Sequence, residues 1–209
     1  MNVPFTSAQF WEVFAQYNSS VFPMQFLLFF AGCSALLLCS RTKDFSKTIG
    51  FALGSLWIWV GLVYHILVFT QINKAAYVFG AAFITQGVIF IVLTRRNQLR
   101  FVFDNSLTRR ISFFFILFGL LLYPLIGCLL GKPLAHSITL GLPCPTTIFT
   151  FGLLGLQAAA IKKRFMIIPL IWSFIGLYAA VSMGVYQDVV MPIAALYTFF
   201  ICNRRLIST

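Results

Sequence analysis

The fold of this chain is decided by residues 55–86, SLWIWVGLVYHILVFTQINKAAYVFGAAFITQ. They form two apolar segments joined by the polar corner TQIN, and His65 is the one histidine of the chain that lies inside an apolar segment. A helix needs about 20 consecutive, mostly apolar residues to cross a bilayer. Together with the residues on either side, the stretch therefore predicts a hairpin of two membrane-spanning helices.

The composition of the whole chain agrees with this prediction. Of the 209 residues, 60% are hydrophobic and only 9% are charged, and the mean hydropathy is +0.95. A soluble domain carries about 25% charged residues, because water must wet its surface. Membrane β-barrels show alternating segments of about ten residues, a pattern that this sequence lacks. We therefore expect an all-α integral membrane helical bundle.

Seven apolar segments follow one another along the chain. The predicted spans cover about 21–40, 48–69, 75–94, 111–130, 145–161, 165–182 and 189–202. The pair Tyr123-Pro124 predicts a kink in the fourth span, because proline removes a backbone donor. Residues 20–209 are accordingly interpreted as a single transmembrane domain.

Residues 1–19 are too polar to be a span. From Ser7, a plausible N-cap, the residues Phe10, Val13, Phe14 and Tyr17 recur at helical spacing. The pattern predicts a short amphipathic helix that lies in the membrane interface. The alternative is a helix that packs on the outer mouth of the bundle.

The basic residues orient the bundle. The chain has a net charge of +11, and 13 of its 15 basic residues follow spans one, three, five and seven, whereas Lys74 and Lys132 lie on the other side. Cytoplasmic loops carry the excess of Lys and Arg, so we expect the N-terminus outside and the C-terminus in the cytoplasm. Basic loops of this kind contact the anionic headgroups of the lipid bilayer. They lack the interleaved aromatic residues that stack on single-stranded nucleic acid, so no nucleic-acid partner is predicted.

His65 is the first candidate for a functional residue. On a helix it shares one face with Trp57, Gly61 and Tyr64, about one turn below the outer surface. Ionisable residues inside a membrane are costly and are functional candidates by default. The alternative is that His65 reaches headgroup water or donates to a neighbouring carbonyl.

The segment PCPTT, residues 143–147, is the second candidate. Proline near the first helical position together with Thr hydroxyls is typical of a helix start. Backbone N–H groups at such a start can hold an anion. The alternative is that the segment only begins span five.

The unusual polar residues of the outer side are expected to converge on one pocket. The candidate binding residues are Trp57, Tyr64, His65, Asn73, Tyr77, Cys144, Thr146 and Asp188. Neither HxxxH nor CxxC occurs, so the sequence predicts no metal, cofactor or catalytic residue. Cys128 and Cys144 both lie near the outer face, where a disulfide could form in an oxidising compartment.

Three segments resemble a known family. NVPFTSAQFWEVFAQYN (2–18), WIWVGLVYHILVFTQINKAAYVFG (57–80) and GLPCPTTIFTFG (141–152) are similar to domain-of-unknown-function family 6064. This is a family of small bacterial polytopic membrane proteins. The resemblance implies a multi-pass protein of the bacterial inner membrane and brings no activity or catalytic residue with it.

Three functions stay open at this point. The motif W-x-x-x-G-L occurs in span two at Trp57 and again in span six at Trp172. A weak internal repeat, a buried histidine and interrupted helices are typical of transporters, so we expect the protein to bind or transport a small solute or ion. The alternatives are a membrane-embedded enzyme and a structural or accessory subunit of a membrane complex.

Overall fold

The structure is a computed structural model, which describes residues 4–39, 45–102, 104–158 and 162–207. Over these residues the secondary structure is helical, apart from two isolated β-bridges that join Phe101 to Gln157 and Leu140 to Leu142. The predicted all-α class is therefore confirmed. The basic residues Arg41 and Lys43, which contribute to the predicted orientation, lie outside the described residues.

The α-helices follow one another with short connections. They are α1 (Ser7–Val21), α2 (Met24–Cys39), α3 (Ser46–Trp59), α4 (Ala76–Arg95), α5 (Leu107–Leu117), α6 (Tyr123–Leu129), α7 (Pro143–Gly155), α8 (Ile167–Met183) and α9 (Val190–Ile207). Two π-helical segments interrupt them: Val60–Val68 continues α3, and Phe118–Leu122 joins α5 to α6. The second lies directly before Pro124, where the sequence predicts a kink.

Within the described residues, four continuous helical segments are long and apolar enough to cross a membrane. They are Ser46–Gln71, Ala76–Arg95, Leu107–Leu129 and Lys163–Met183. These correspond to the second, third, fourth and sixth predicted spans. The apolar helices Met24–Ser34 and Tyr186–Cys202 are shorter. The total of seven spans and the orientation of the bundle stay predictions.

The opening hairpin is held together by two pairs of glycines. A Cβ added to Gly54 would lie 2.9 Å from the carbonyl oxygen of Gly87, and one added to Gly87 would lie 2.6 Å from that of Gly54. Gly61 and Gly80 face each other in the same reciprocal way, at 2.8 and 2.9 Å. Small residues at such crossings let two membrane helices approach backbone to backbone. The hairpin is therefore specified by glycines that are seven residues apart on both helices.

Helix α7 is the centre of the bundle, and twelve of its residues are buried. It is shorter than the predicted span 145–161, because the helix ends at Gly155. Beyond it, the Gln157 side chain accepts from the Arg100 N–H (2.6 Å) and donates to the Gln98 carbonyl (3.2 Å). These contacts with a distant segment replace the next helical turn, so the predicted helix is too long at this end. Residues 159–161 lie outside the described part.

Segment 98–102 closes the end of the bundle at which most described basic residues lie. The Phe101 N–H donates to the Ser46 hydroxyl at the start of α3, and the Val102 N–H donates to the Leu156 carbonyl. The segment thereby ties α3 to the end of α7. We call this end the basic end, and the opposite end, which carries α1, the α1 end.

Helix α1 packs on the bundle through the face that the sequence predicts. Phe10, Val13, Phe14 and Tyr17 are all buried. The N-cap, however, is Thr6 and not Ser7: the Thr6 hydroxyl accepts from the Gln9 N–H, and the Gln9 side chain accepts from the Thr6 N–H. This reciprocal capping box satisfies two donors at the helix start. With Ser7 as the N-cap, the residue three positions later would be Phe10, which has no side-chain acceptor. The contacts agree with the alternative of a helix packed on the bundle mouth.

Candidate functional site

A cavity of about 190 Å³ lies beneath α1, between the π-helical segment of the hairpin, α7 and α8. Its wall is formed by Phe5, Phe10, Phe14, Tyr64, Phe69, Asn73, Phe79, Tyr123, Ile138, Pro143, Cys144, Trp172, Ile175, Gly176, Tyr178, Ser182, Met183, Val185 and Asp188. Asn73 and Ser182 are partly exposed to solvent or lipid. The cavity therefore reaches towards the surface at the α1 end.

Helix α1 is fixed as the roof of this cavity. The Tyr17 hydroxyl donates to the Gly141 carbonyl (2.9 Å) and accepts from the Trp59 indole N–H (2.8 Å). Burial raises the pKa of Tyr17 to about 12, so the hydroxyl keeps its proton at neutral pH. The Trp11 indole donates to the Met183 carbonyl at 3.2 Å. Phe14 stacks on Tyr64 with a centroid distance of 6.0 Å.

Residues 132–137 hold the outer side of α1. The Lys132 ammonium lies 3.8 Å from the centroid of the Trp11 ring, and the His136 Nε2 lies 3.8 Å from a carboxylate oxygen of Glu12. The Asn18 amide donates to the carbonyls of Ala135 and Ser137, both at 2.8 Å. None of these side chains lines the cavity, whose wall contains no Lys, Arg or His among the described residues.

Asp188 is the one carboxylic acid among the described residues of the cavity wall. It lies on the 3₁₀ turn Tyr186–Val189 before α9 and is only 1% exposed. The Tyr123 hydroxyl donates to its carboxylate, and the Cys144 thiol lies against the same group. No ion pair to Asp188 is found in the described ranges. A buried carboxylate without a cationic neighbour is costly, which marks this corner of the cavity as chemically unusual.

The start of α7 contributes little to binding an anion. Pro143 and Pro145 have no N–H, and the Thr146 N–H already donates to the Leu142 carbonyl. The Thr146 hydroxyl accepts from the Gly141 N–H at 3.2 Å and so closes the turn before the helix. The nearby carboxyl of Asp188 would also repel an anion. These contacts favour the interpretation that PCPTT begins the helix and places Cys144 in the cavity wall.

His65 is fully buried but does not line the cavity. Its ring lies among aromatic side chains, with centroids 4.7 Å from Phe83, 5.1 Å from Trp172 and 5.1 Å from Tyr64. Neither ring nitrogen has a hydrogen-bond partner within the described part of the chain. Tyr64 and Trp172 stand between His65 and the cavity, because both contact the imidazole and both line the wall.

The remaining predicted residues divide between the cavity and the bundle. Asn73 lines the cavity, and its side chain accepts from the Ala75 N–H at 3.0 Å. Trp57 is buried deeper, where its indole donates to the Thr150 hydroxyl (2.9 Å) and stacks on Phe83. Tyr77 is half-exposed on α4 and lies outside the wall. The structure thus brings together Tyr64, Asn73, Cys144 and Asp188 of the eight predicted residues.

Sequence reasoning missed Tyr123 and Trp172 as parts of the site. In the sequence, Tyr123 is singled out only because it precedes a proline, and Trp172 only because it belongs to a repeated motif. The aromatic roof was visible as the apolar face of α1, including Phe10 and Phe14. What the sequence did not show is that this face covers a cavity as well as a helix interface.

The structure gives no support to a disulfide or a metal site. Cys128 and Cys144 are free thiols, so the bond considered between them is not formed. Among the residues described, no group of three or more His, Cys, Asp or Glu is arranged to hold a metal ion. A second cavity of about 260 Å³ lies between α2, α3 and α7. Its wall is apolar apart from Ser55 and the Trp59 indole, so it offers little to orient a polar ligand.

The described part of the chain is all-helical and contains four helices of membrane-spanning length, which are the features of a helical membrane protein. The chain belongs to the family of unknown function DUF6064, which it matches over residues 7–208. The family resemblance of the three quoted segments is thereby confirmed. No curated protein and no solved structure matches the chain significantly.

Proposed function

We propose that the chain is a seven-span protein of the bacterial inner membrane that binds or moves a small solute or ion through the cavity beneath α1. The α1 end then faces the outside and the C-terminus lies in the cytoplasm. The observation that carries the proposal is the cavity itself. Four residues picked from the sequence as an outer pocket, Tyr64, Asn73, Cys144 and Asp188, line it together.

The short helix α7 supports a role in solute passage. Its 13 residues extend roughly 20 Å, less than the ~30 Å of the hydrocarbon core. The chain continues without helix at both ends, and the residues that follow, Leu156 and Gln157, are fully buried. Irregular backbone at membrane depth occurs where it is buried in protein or lines a cavity, as in the broken helices of transporters.

The size of the cavity limits the occupant. Pockets for drug-sized ligands have about 300–1,000 Å³, so a cavity of about 190 Å³ takes a smaller molecule. The ring-rich wall favours a solute with an apolar part, and Asp188 supplies the one charged contact. We therefore expect a small solute with few polar groups.

A thermal-unfolding screen of the purified full chain tests this function. The panel contains inorganic salts, carboxylates, sugars, amino acids and organic ammonium salts. A ligand that binds only the folded state raises the unfolding midpoint. We expect at least one class to stabilise the wild type and to have no effect on Ile175→Trp, in which an indole fills the cavity.

Val181→Trp is the matched control, because it introduces the same side chain on the same helix at a site that is 79% exposed. It should respond to solutes as the wild type does. The proposal is contradicted if no class stabilises the wild type, or if Ile175→Trp responds equally.

A further inference from the structure

We propose that the occupant of this cavity is a small organic ammonium ion, with Asp188 as its counter-ion and the aromatic wall as its cage. This inference rests on the proposed function and names the chemical class of its solute. It is carried by two independent features of the wall, the density of rings and the single buried carboxyl.

Aromatic rings form about half of the cavity wall. They are Phe5, Phe10, Phe14, Tyr64, Phe69, Phe79, Tyr123, Trp172 and Tyr178. The faces of such rings carry negative electrostatic potential and attract a cation within about 6 Å. Cages of this composition are the usual means by which proteins recognise quaternary ammonium groups. A neutral apolar solute would need the rings but would not need Asp188.

The charge of the wall favours a cation. Asp188 is the single carboxylic acid in the wall, and its carboxyl is buried without a basic partner in the described ranges. Tyr123 donates to this carboxylate and fixes its position. A bound cation would supply the missing positive charge, whereas an anion would place like charges together in a site of low dielectric.

The donor set argues against a metal ion as the main occupant. Hard cations require about six oxygen ligands, and a soft metal requires several thiolate or imidazole groups. Apart from backbone groups, the wall offers the Asp188 carboxyl, the Asn73 amide, the Ser182 and tyrosine hydroxyls, one thiol, Cys144, and one thioether, Met183. An alkylammonium ion needs only one counter-ion and a lining of rings.

Protons should compete with the cation for Asp188. The other titratable groups that face this carboxyl are Tyr123, Cys144 and Tyr64, on three different elements. All three are acids that are neutral when protonated, so acidification changes the charge of the cluster only at Asp188. We therefore expect the affinity for an ammonium ion to fall as the pH is lowered.

The first test compares two probes of equal shape and different charge. Choline is a quaternary ammonium alcohol, and 3,3-dimethylbutan-1-ol is its uncharged carbon analogue. Choline chloride should raise the unfolding midpoint of the purified full chain by a few degrees, while the analogue and equal sodium chloride should not. Asp188→Asn should abolish the choline effect, and Glu12→Gln, which alters an exposed acid on α1, should preserve it.

The second test keeps Asp188 and so does not depend on the folding of that variant. Cys144 is retained as the single cysteine after replacement of Cys33, Cys39, Cys128 and Cys202, and is labelled with cationic or anionic methanethiosulfonates of similar size. The cationic reagent should react at least about tenfold faster, because the site concentrates positive charge. A protein with Cys128 alone, an exposed thiol, should show little preference.

The outcomes separate this inference from the proposed function. If the carbon analogue stabilises the protein as well as choline does, the cavity binds neutral solutes, and the inference fails while the function stands. Equal or faster labelling by the anionic reagent also overturns the inference. If the whole solute panel is without effect, both the function and the inference fail.

Discussion

The His65 imidazole is enclosed by Phe83, Trp172, Tyr64 and Phe79, and both of its nitrogens lack partners in the described part of the structure. A buried donor or acceptor that is left unsatisfied costs about 1–3 kcal/mol. The ring nevertheless contributes favourable contacts with its aromatic neighbours. His65 therefore acts as a packing residue, and its two unsatisfied nitrogens lower the stability of the fold.

We predict that His65→Leu does not lower the unfolding midpoint of the purified protein. Leucine has a similar volume, and removing two unpaired nitrogens should gain about 1–3 kcal/mol, which offsets the lost ring contacts. The variant should also keep the response to choline, because His65 does not line the cavity. Loss of that response with an unchanged midpoint would instead assign His65 a role in the site.

Single residues were predicted well where local pattern decides their position. The buried face of α1 follows directly from helical spacing, and Asp188 was chosen because it is an acid next to an apolar span. Tyr123 and Trp172 could not be chosen, because their importance depends on which helices meet. The sequence shows how far along a helix a residue lies, but it does not show which helix packs against that residue.

At the level of elements, the hairpin of α3 and α4 is fixed by its paired glycines. Gly54 faces Gly87, and Gly61 faces Gly80, so the two backbones touch at crossings two turns apart. Gly50 and Gly54 have the small-xxx-small spacing that is typical of membrane helix contacts, and both face α4. Gly127 and Gly131 have the same spacing, but a Cβ added to either would lie no closer than 3.8 Å to a described neighbour.

We predict that Gly87→Ala lowers the unfolding free energy by about 1–3 kcal/mol, since the new Cβ would lie 2.6 Å from the Gly54 carbonyl oxygen. Gly127→Ala is the matched control, because its Cβ would lie 3.8 Å from the nearest atom, on Gln187. That change should be neutral or slightly stabilising, since alanine favours helix. The measurement is the unfolding midpoint of each variant in the same detergent. Equal midpoints for the two variants would contradict the close contact between Gly87 and Gly54.

Helix limits were less predictable than helix positions. The π-helical segment Val60–Val68 has no proline, and nothing in its residues distinguishes an i→i+5 pattern from an α-helix. The end of α7 depends on Gln157, whose partners lie almost 60 residues earlier in the chain. Non-local contacts of this kind override the local preference for a continued helix. A prediction made from one segment alone therefore extends the helix too far.

At the level of the whole molecule, charge and hydropathy together define a bundle with two unlike ends. The basic end contains Arg95, Arg96 and Arg100 at or just after the end of α4, whereas the α1 end contains the cavity and its roof. The proposed orientation follows the positive-inside rule and would put the cavity on the outer side of the membrane. The proposed function depends on this orientation, because the cavity would take its solute from outside.

Labelling of Cys144 in intact cells tests this central claim most directly. In a protein with Cys144 as its single cysteine, a small membrane-impermeant thiol reagent should label the cavity from outside, and Ile175→Trp should suppress the reaction. The exposed Cys128 at the α1 end, tested as the single cysteine, should also react. An otherwise cysteine-free Lys47→Cys variant should react only after the membrane is permeabilised. If Cys144 reacts only after permeabilisation, or not at all, the outward-facing cavity is contradicted.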